Sequence, residues 1–234
     1  MSQDRPLGPP VPGFTPPPLP LREPIEGRWC RLEPFEPARH GPALFEAYRG
    51  ADAVWDYMFS GPFPDLAAFM AWAEPAAAGR DPLFFTVIDR EDGAPKGLAS
   101  YMRIAPDHGV IEIGNIAWAP ALQRTRAGTE AMLLFMAHAF ALGYRRYEWK
   151  CNALNAPSRR LAMRLGLSYE GVFRAHMVVK GRNRDTAWYA ATEADWPALK
   201  AAHEAWLDPA NFDEAGRQRR SLSDLTRPVL VATG

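Results

Sequence analysis

The sequence has 234 residues, and Lys+Arg and Asp+Glu both number 27, so the formal net charge is zero. That length fits one large domain, or one domain with arms, and the balanced charge argues against a nucleic-acid binder, which carries a basic excess. Cys30 and Cys151 form no disulfide or zinc spacing, and the longest apolar stretch, 131–142, is interrupted by His138 and falls short of the ~20 residues that span a membrane.

Residues 1–24 are rich in proline, with Pro9, Pro10, Pro16, Pro17 and Pro18 among them. They read as an extended arm, laid on the surface, unstructured, or packed on a second subunit of a homodimer. No basic region followed by an apolar run opens the chain, so a reducing, cytoplasmic setting is expected. A first strand covers 25–35. A helix covers 37–48, opened by Pro37 and closed near Gly50. The aromatic segment 55–63 breaks at Gly61-Pro62, and a helix over 65–78 puts Leu66, Phe69, Met70 and Ala73 on one face. Strands at 83–89, 96–104 and 110–118 are separated by turns at 91–93 and 106–109. The segment 127–142 is a helix apolar almost all round, therefore buried, and ended by Gly143. A strand at 144–150 precedes a helix at 157–165, with Asn155 as N-cap and Gly166 as stop. A hairpin joins 169–179 to 184–191 through a turn where Gly181 and Asn183 suit positive φ. A last helix runs from Thr192 to about 207, and the polar tail 208–234, with Arg217, Arg219 and Arg220, reads as a loosely packed arm. The domain is thus 25–207. A strand–helix–strand unit inside an otherwise antiparallel sheet is a mixed α/β (α+β) pattern.

Chemistry concentrates around 111–131. A strand ending at Trp118 feeds a buried helix starting near Ala127. Such a helix start leaves amides without partners and attracts anions; a pyrophosphate fits. Arg124 and Arg126 add positive charge. An ordinary turn before a helix has the same residue types, so the residues alone leave both readings open. Glu112, between two isoleucines, is out of place in an apolar strand unless it faces a polar cleft, where it would accept a proton, or pairs with an arginine across the sheet. Trp55, Tyr57, Met58, Phe59 and Phe63 either wall a substrate pocket or pack a loop on the core. Tyr101, Arg103 and His176 sit on strands bordering the cleft, as substrate contacts or structural residues. No metal-ligand spacing is visible.

The order of elements, together with Gln123-Arg124-Thr125-Arg126-Ala127-Gly128-Thr129-Glu130-Ala131, resembles the coenzyme A loop of the GNAT N-acetyltransferase superfamily. The segment 152–167, where Asn152, Asn155 and Ser158 precede a helix ending in Leu165-Gly166-Leu167, followed by Gly171, is similar to its second hallmark. The likeness spans about 25–207, and the nearest branch is the ribosomal-protein N-acetyltransferase-like enzymes. It implies a mostly antiparallel sheet of about seven strands with a central βαβ coenzyme A unit and flanking helices. It implies acetyl-CoA as donor, a small-molecule or peptide amine as acceptor, and no metal, nucleic acid or membrane. Coenzyme contacts are implied for Ile116, Trp118, Gln123, Arg124, Arg126, Ala127, Gly128, Thr129, Asn152 and Asn155, the last also a plain helix cap. Ser158 is implied near the thiol, though a first-turn serine is also an ordinary cap. The strand would splay at 115–118 and turn its amides to the thioester, with Gly114 at a bulge. Arg126 stands where the family loop has glycine; a left-handed φ there would cost about 1 kcal/mol, unless the side chain pairs with a phosphate. A coenzyme-binding scaffold without turnover, or transfer of a longer acyl group, are the alternatives. An α-amine, with a pKa of ~8 against ~10.4 for lysine, needs the weaker base.

Overall fold

A computed structural model describes residues 7–234; the first six residues of the proline-rich arm lie outside it. The alternating segments join into one sheet of β1 (Ile25–Glu26), β2 (Cys30–Pro34), β3 (Leu83–Asp89), β4 (Pro95–Ala105), β5 (Val110–Trp118), β6 (Arg146–Asn152), β7 (Ser168–Val179) and β8 (Arg182–Thr192). Their spatial order is β1-β2-β3-β4-β5-β6-β8-β7. Every neighbouring pair is antiparallel except β5 and β6, which run parallel. Parallel neighbours need a crossover, and α3 (Arg126–Ala141) supplies it.

The strand LFFTVID of β3 is buried at every position, which requires cover on both faces of the sheet. On one face α1 (Pro37–Ala47) and α2 (Leu66–Ala78) pack with Phe35, Phe84, Leu98 and Ala117. On the other, α3, α4 (Ala156–Arg164), α5 (Trp196–Leu207) and α6 (Leu222–Thr226) close over Phe85, Ile111, Ile113, Tyr147 and Tyr189. Among the described residues no helix is long and apolar enough to cross a membrane.

Four boundaries differ from the sequence reading. The segment 25–35 is two strands, which raises the count among the described residues to eight. The chain turns at Gly27 so that the amides of Arg28, Trp29 and Cys30 all donate to the Glu130 carboxylate on α3, at 2.8, 2.6 and 2.8 Å. A Cβ on Gly27 would stand 2.5 Å from Glu130 Oε2. Thr192 ends β8 instead of capping a helix: its amide and hydroxyl donate to Asp195 Oδ2, and α5 begins at Trp196. In the β7–β8 turn the positive φ falls on Lys180 and Gly181, not Asn183, as a two-residue hairpin loop requires. The tail is not loose. Leu222 and Thr226 are fully buried, Thr226 Oγ1 donates to the Arg164 carbonyl at 3.1 Å, and the Tyr169 amide donates to the Ala232 carbonyl. Leu222, Leu225 and Val229 supply apolar anchors within the polar run. The arm over 7–24 is largely exposed, with Pro17 and Pro20 tucked in and the Tyr144 hydroxyl donating to the Pro18 carbonyl at 3.2 Å.

His203 on α5 is sealed in this core. Its Nε2 meets the Leu165 carbonyl at 2.9 Å, and its Nδ1 has no partner among the described residues. Burial pushes its pKa down from 6.5 to about 4. Above pH 6.5 the ring is neutral whether the chain is folded or unfolded. Between 6.5 and about 4 only the unfolded chain takes the proton, so stability falls as pH falls. The expected loss is about 3 kcal/mol, read from denaturant midpoints at pH 7.5 and 4.5. His203→Leu should flatten that limb.

Candidate active site

The site starts where a pairing stops. β5 and β6 pair from Val110 opposite Arg146 to Ile113 opposite Trp149, and no further. β6 stays paired with β8 as far as Asn152, and β5 with β4 as far as Trp118, so the two central strands part beyond Ile113. β5 carries one extra residue there: Leu98 faces Ala117, but Ser100 faces Gly114. This is a β-bulge, and Asn115, not Gly114, takes the left-handed φ of 52°. The extra residue shifts the side-chain alternation. Ile111 and Ile113 point into the α3 core before it, Ile116 and Trp118 after it. Asn115 Nδ2 donates to Ser100 Oγ at 2.9 Å, and the Tyr48 hydroxyl donates to the Ala117 carbonyl at 2.8 Å, fixing the bent strand.

From Trp118 the chain turns into α3. Gln123 Nε2 returns a hydrogen bond to the Trp118 carbonyl at 3.0 Å. Thr125 is the N-cap: its Oγ1 accepts from the Gly128 amide at 2.9 Å and donates to the Leu122 carbonyl at 2.8 Å. The amides of Arg124, Arg126 and Ala127 have no partner among the described residues, as the first turn of a helix dictates. Gly128 is needed for space, since a Cβ there would stand 2.5 Å from the Leu122 carbonyl oxygen. The left-handed residue of this loop is Arg124 (φ 61°), while Arg126 is already helical. The expected strain at Arg126 is therefore absent. Its guanidinium lies 3.8 Å from the Phe212 ring centre and 5.0 Å from that of Trp29. Arg124, Arg126, Trp206, Phe212 and Gln218 border a cavity of about 310 Å³ beside the helix start.

At the far arm of the opening, Asn155 Oδ1 accepts from the Ser158 amide at 3.1 Å, capping α4, and Asn152 Oδ1 accepts from the Leu154 amide at 2.9 Å. Ser158 Oγ accepts from Nε1 of Trp149, the last residue of β6 paired with β5, at 3.0 Å.

The matching region is the acetyltransferase (GNAT) domain, which covers residues 30–168. The chain belongs to the GNAT acetyltransferase family. It is similar to a GCN5-related N-acetyltransferase from Brucella melitensis, with 49% identity over 93% of this chain and 100% of that one, and a TM-score of 0.91. A probable GNAT-family acetyltransferase from Chromobacterium violaceum is 37% identical over 85% of this chain and 100% of its own, with a TM-score of 0.78. The fold is shared, at 19% identity and a TM-score of 0.63, by a Salmonella typhimurium acetyl transferase that modifies the N-terminal serine of a 50S ribosomal subunit protein, L7/L12; the match covers 73% of this chain and 99% of that one. The curated proteins give no match.

In this GNAT chain the sheet face opposite α3 carries a line of charge at the opening. Glu112 Oε2 meets Arg103 of β4 and Lys150 of β6, both at 2.9 Å. The cross-sheet arginine pair is therefore formed, with a lysine added. Lys150 also meets Glu148 at 2.8 Å, and Arg146 joins Glu148 at 2.7 Å to Glu170 at 2.5 Å. Burial alone would raise the Glu148 carboxyl, but hydrogen bonds from Lys150 and Arg146 outweigh it and hold it below its ordinary value. The Lys150 side chain is 5% exposed and lies 3.9 Å from the Trp188 ring centre.

Arg103, Glu112, Ile116 and Trp118 lie on β4 and β5, Gln123–Thr129 form the turn into α3 and its first residues, and Asn152, Asn155 and Ser158 stand where β6 runs into α4. The aromatic segment divides. Trp55 is a core residue packed edge-to-face with Tyr48, Phe63 and Trp72. Tyr57 and Phe59 are exposed, the first donating to the Leu154 carbonyl at 3.4 Å and the second standing over Arg184. Lys180 of the hairpin turn donates to the Trp55 carbonyl at 2.8 Å and ties the segment down. His176 meets Thr186 Oγ1 at 3.0 Å beside Phe173 and Trp188 on the same face. Tyr101 is not among them. It is fully buried against α3 and donates to the Phe135 carbonyl at 2.6 Å. One residue decides this: Ser100 and Met102 face the opening, so Tyr101 between them faces the core. Lys150, Glu148, Arg184 and the side-chain role of Asn115 were missed. Charges at 148 and 150 alternating with Tyr147, Trp149 and Cys151 were the available signal.

Glu130 holds Trp29, and Trp29 holds Arg126 at the helix start. Glu130→Ala leaves three amides without their acceptor and should cost about 3 kcal/mol, measured by chemical denaturation. A loss below about 0.5 kcal/mol, the level of a neutral surface change, would contradict the anchor.

Proposed function

We propose that this GNAT acetyltransferase moves the acetyl group of acetyl-CoA to a primary amine by direct attack of the amine on the thioester. The observation carrying the reading is the opening between β5 and β6, which leads to the unpartnered amides of Arg124, Arg126 and Ala127. Acetyl-CoA supplies the activated acetyl group and a phosphate-bearing tail. The residues fit that tail: free amides and Gly128 allow close backbone approach, the helix dipole favours a diphosphate, and Arg124 adds charge. Ile116 and Trp118 border the extended part, Gln123 and Thr129 brace the loop, and among the described residues the side-chain Nδ2 groups of Asn152 and Asn155 have no hydrogen-bond partner. Among the described residues no cluster of His, Cys, Asp or Glu suits a metal ion.

The β5 edge beyond Ile113 has no β6 partner, so its amides near Asn115–Trp118 stabilise charge growing on the carbonyl oxygen. Ser158 accepts its hydrogen bond from Trp149, which leaves its own hydroxyl proton for the departing sulfur. We assign Glu112 the amine proton. Both cations hold its Oε2, while Oε1 lies on the Gly114 side, 3.6 Å from where a Cβ of Gly114 would stand. Tyr57, Phe59, Arg103 and His176 form the acceptor side. The acceptor is a small-molecule amine or a protein N-terminal α-amine, and the setting is cytoplasmic, in keeping with the buried free thiols Cys30 and Cys151. The scaffold alternative drew on Arg126, whose helical backbone carries no left-handed strain.

The test is release of free thiol from acetyl-CoA in the presence of primary amines. Release should need both partners. Ser158→Ala should lower kcat by roughly 10–100-fold with KM for acetyl-CoA little changed. Glu112→Gln should lower kcat/KM at pH 7 by about 10–100-fold and recover most of it at pH 9, where an α-amine is neutral without help. An unaltered pH profile in Glu112→Gln would remove Glu112 from the proton path, and no thiol release with any amine would overturn the reading.

A further inference from the structure

Arg184 on β8 stands apart from the charge line. In that line Arg103, Glu112, Lys150, Glu148, Arg146 and Glu170 alternate in sign and neutralise one another. Arg184 shares the face, because Ala187, Tyr189 and Ala191 point to the α3 core and the even-numbered positions point away from it. It is 7% exposed. No carboxylate among the described residues lies within ion-pair distance of it; Nε alone is engaged, donating to Thr186 Oγ1 at 3.2 Å. Its two terminal nitrogens make no hydrogen bond, yet they are not sealed, so their free edge meets solvent. Phe59 covers it, with the guanidinium carbon 5.1 Å from the ring centre. A guanidinium nine-tenths buried with no anion is an expensive arrangement, since buried charges are normally paired. Burial accordingly pulls its pKa below the ordinary value, with the nearby Arg103 adding to the effect and Cys151 and Glu112 opposing it.

We propose that Arg184 is the specificity residue of the acceptor site and binds a carboxylate carried by the amine substrate. The inference rests on the amine-acetylation reading above and narrows its substrate class. A planar guanidinium with two free nitrogens matches a carboxylate in a two-pronged pair. One unbalanced positive charge suits a single negative one. Arg184 lies two residues beyond Thr186, which pairs with Asn152 at the end of β6, and Phe59 of the aromatic segment closes over it. The amine is then held with its nitrogen towards Glu112 and its carboxylate in the fork. The carboxylate belongs either to a free amino acid or to an acidic residue near the start of a peptide.

Two paired sets of acceptors separate these sources. One set is free L-amino acids against their C-terminal amides. The other is short peptides with Asp or Glu at position two against Asn or Gln. Thiol release is measured for wild type, Arg184→Met and Arg184→Lys, with acetyl-CoA-induced thermal shifts on each protein. Wild type should favour the acid member of one set by roughly 10–100-fold in kcat/KM, mainly through KM. Arg184→Met should bring acids down to their neutral partners, Arg184→Lys should keep part of the preference, and acetyl-CoA should raise the melting temperature of all three. Equal rates for acid and neutral partners in wild type, or a preference that survives in Arg184→Met, would overturn the proposal. Acetyl-CoA binding without acetylation in either set would overturn the carboxylate class and leave the coenzyme site standing. No thermal shift in wild type would overturn the acetyl-transfer reading, and this proposal with it.

Discussion

Everything in the site depends on one interrupted strand pairing. A parallel pair inside an antiparallel sheet has its hydrogen bonds satisfied only while the strands stay together. Here β5 takes an extra residue at Asn115 and bends towards β4, and β6 stays with β8. The gap leaves main-chain groups of β5 open in the middle of the molecule, where unpaired polar groups are costly unless a ligand or water meets them. The bend is held from outside by Asn115 on Ser100 and by Tyr48 on the Ala117 carbonyl. The same strand ends at Trp118, whose carbonyl holds Gln123 in the turn that starts α3, so the open edge leads into the loop that carries the free helix amides.

Both ends of the chain secure that surface. The β1–β2 turn is pinned by Glu130, one turn into the helix whose start it supports, and presents Trp29 to Arg126. The segment after α5 brings Phe212 to the other side of the same guanidinium. Flat cations between aromatic rings gain packing and electrostatic attraction together. An arginine where a glycine is expected is thus accommodated by its surroundings and by its place in the helix. The open face is arranged differently. There, charges are buried, and buried charges persist only when paired. The chain from Arg103 to Glu170 meets that condition internally, and Arg184 does not.

The element order was legible because the period-2 and period-3.6 patterns are strong in segments such as LFFTVID and the helix from Ala127. The opening at 115–118 and the importance of Gly128 came with the motif resemblance, although Gly128 serves close approach to the Leu122 carbonyl and not a positive φ. Side-chain direction was less legible. Tyr101 was assigned to the wrong face because alternation fixes parity only when one face is known, and both faces of β4 carry apolar residues. Lys150 escaped because it pairs with Glu112 on another strand, and Arg184 because its meaning lies in the lack of a carboxylate partner; no local pattern encodes either. The tail looked polar as a whole, and its three apolar anchors were too sparse to register as a helix.

Hydrogen exchange with and without acetyl-CoA tests the central claim most directly, because it reads main-chain amides one segment at a time. Exchange should slow on adding acetyl-CoA in two segments together, 114–118 on the open edge of β5 and 123–128 at the start of α3. Protection that left both segments unchanged, or fell only elsewhere in the sheet, would contradict the placement of the coenzyme between β5 and β6.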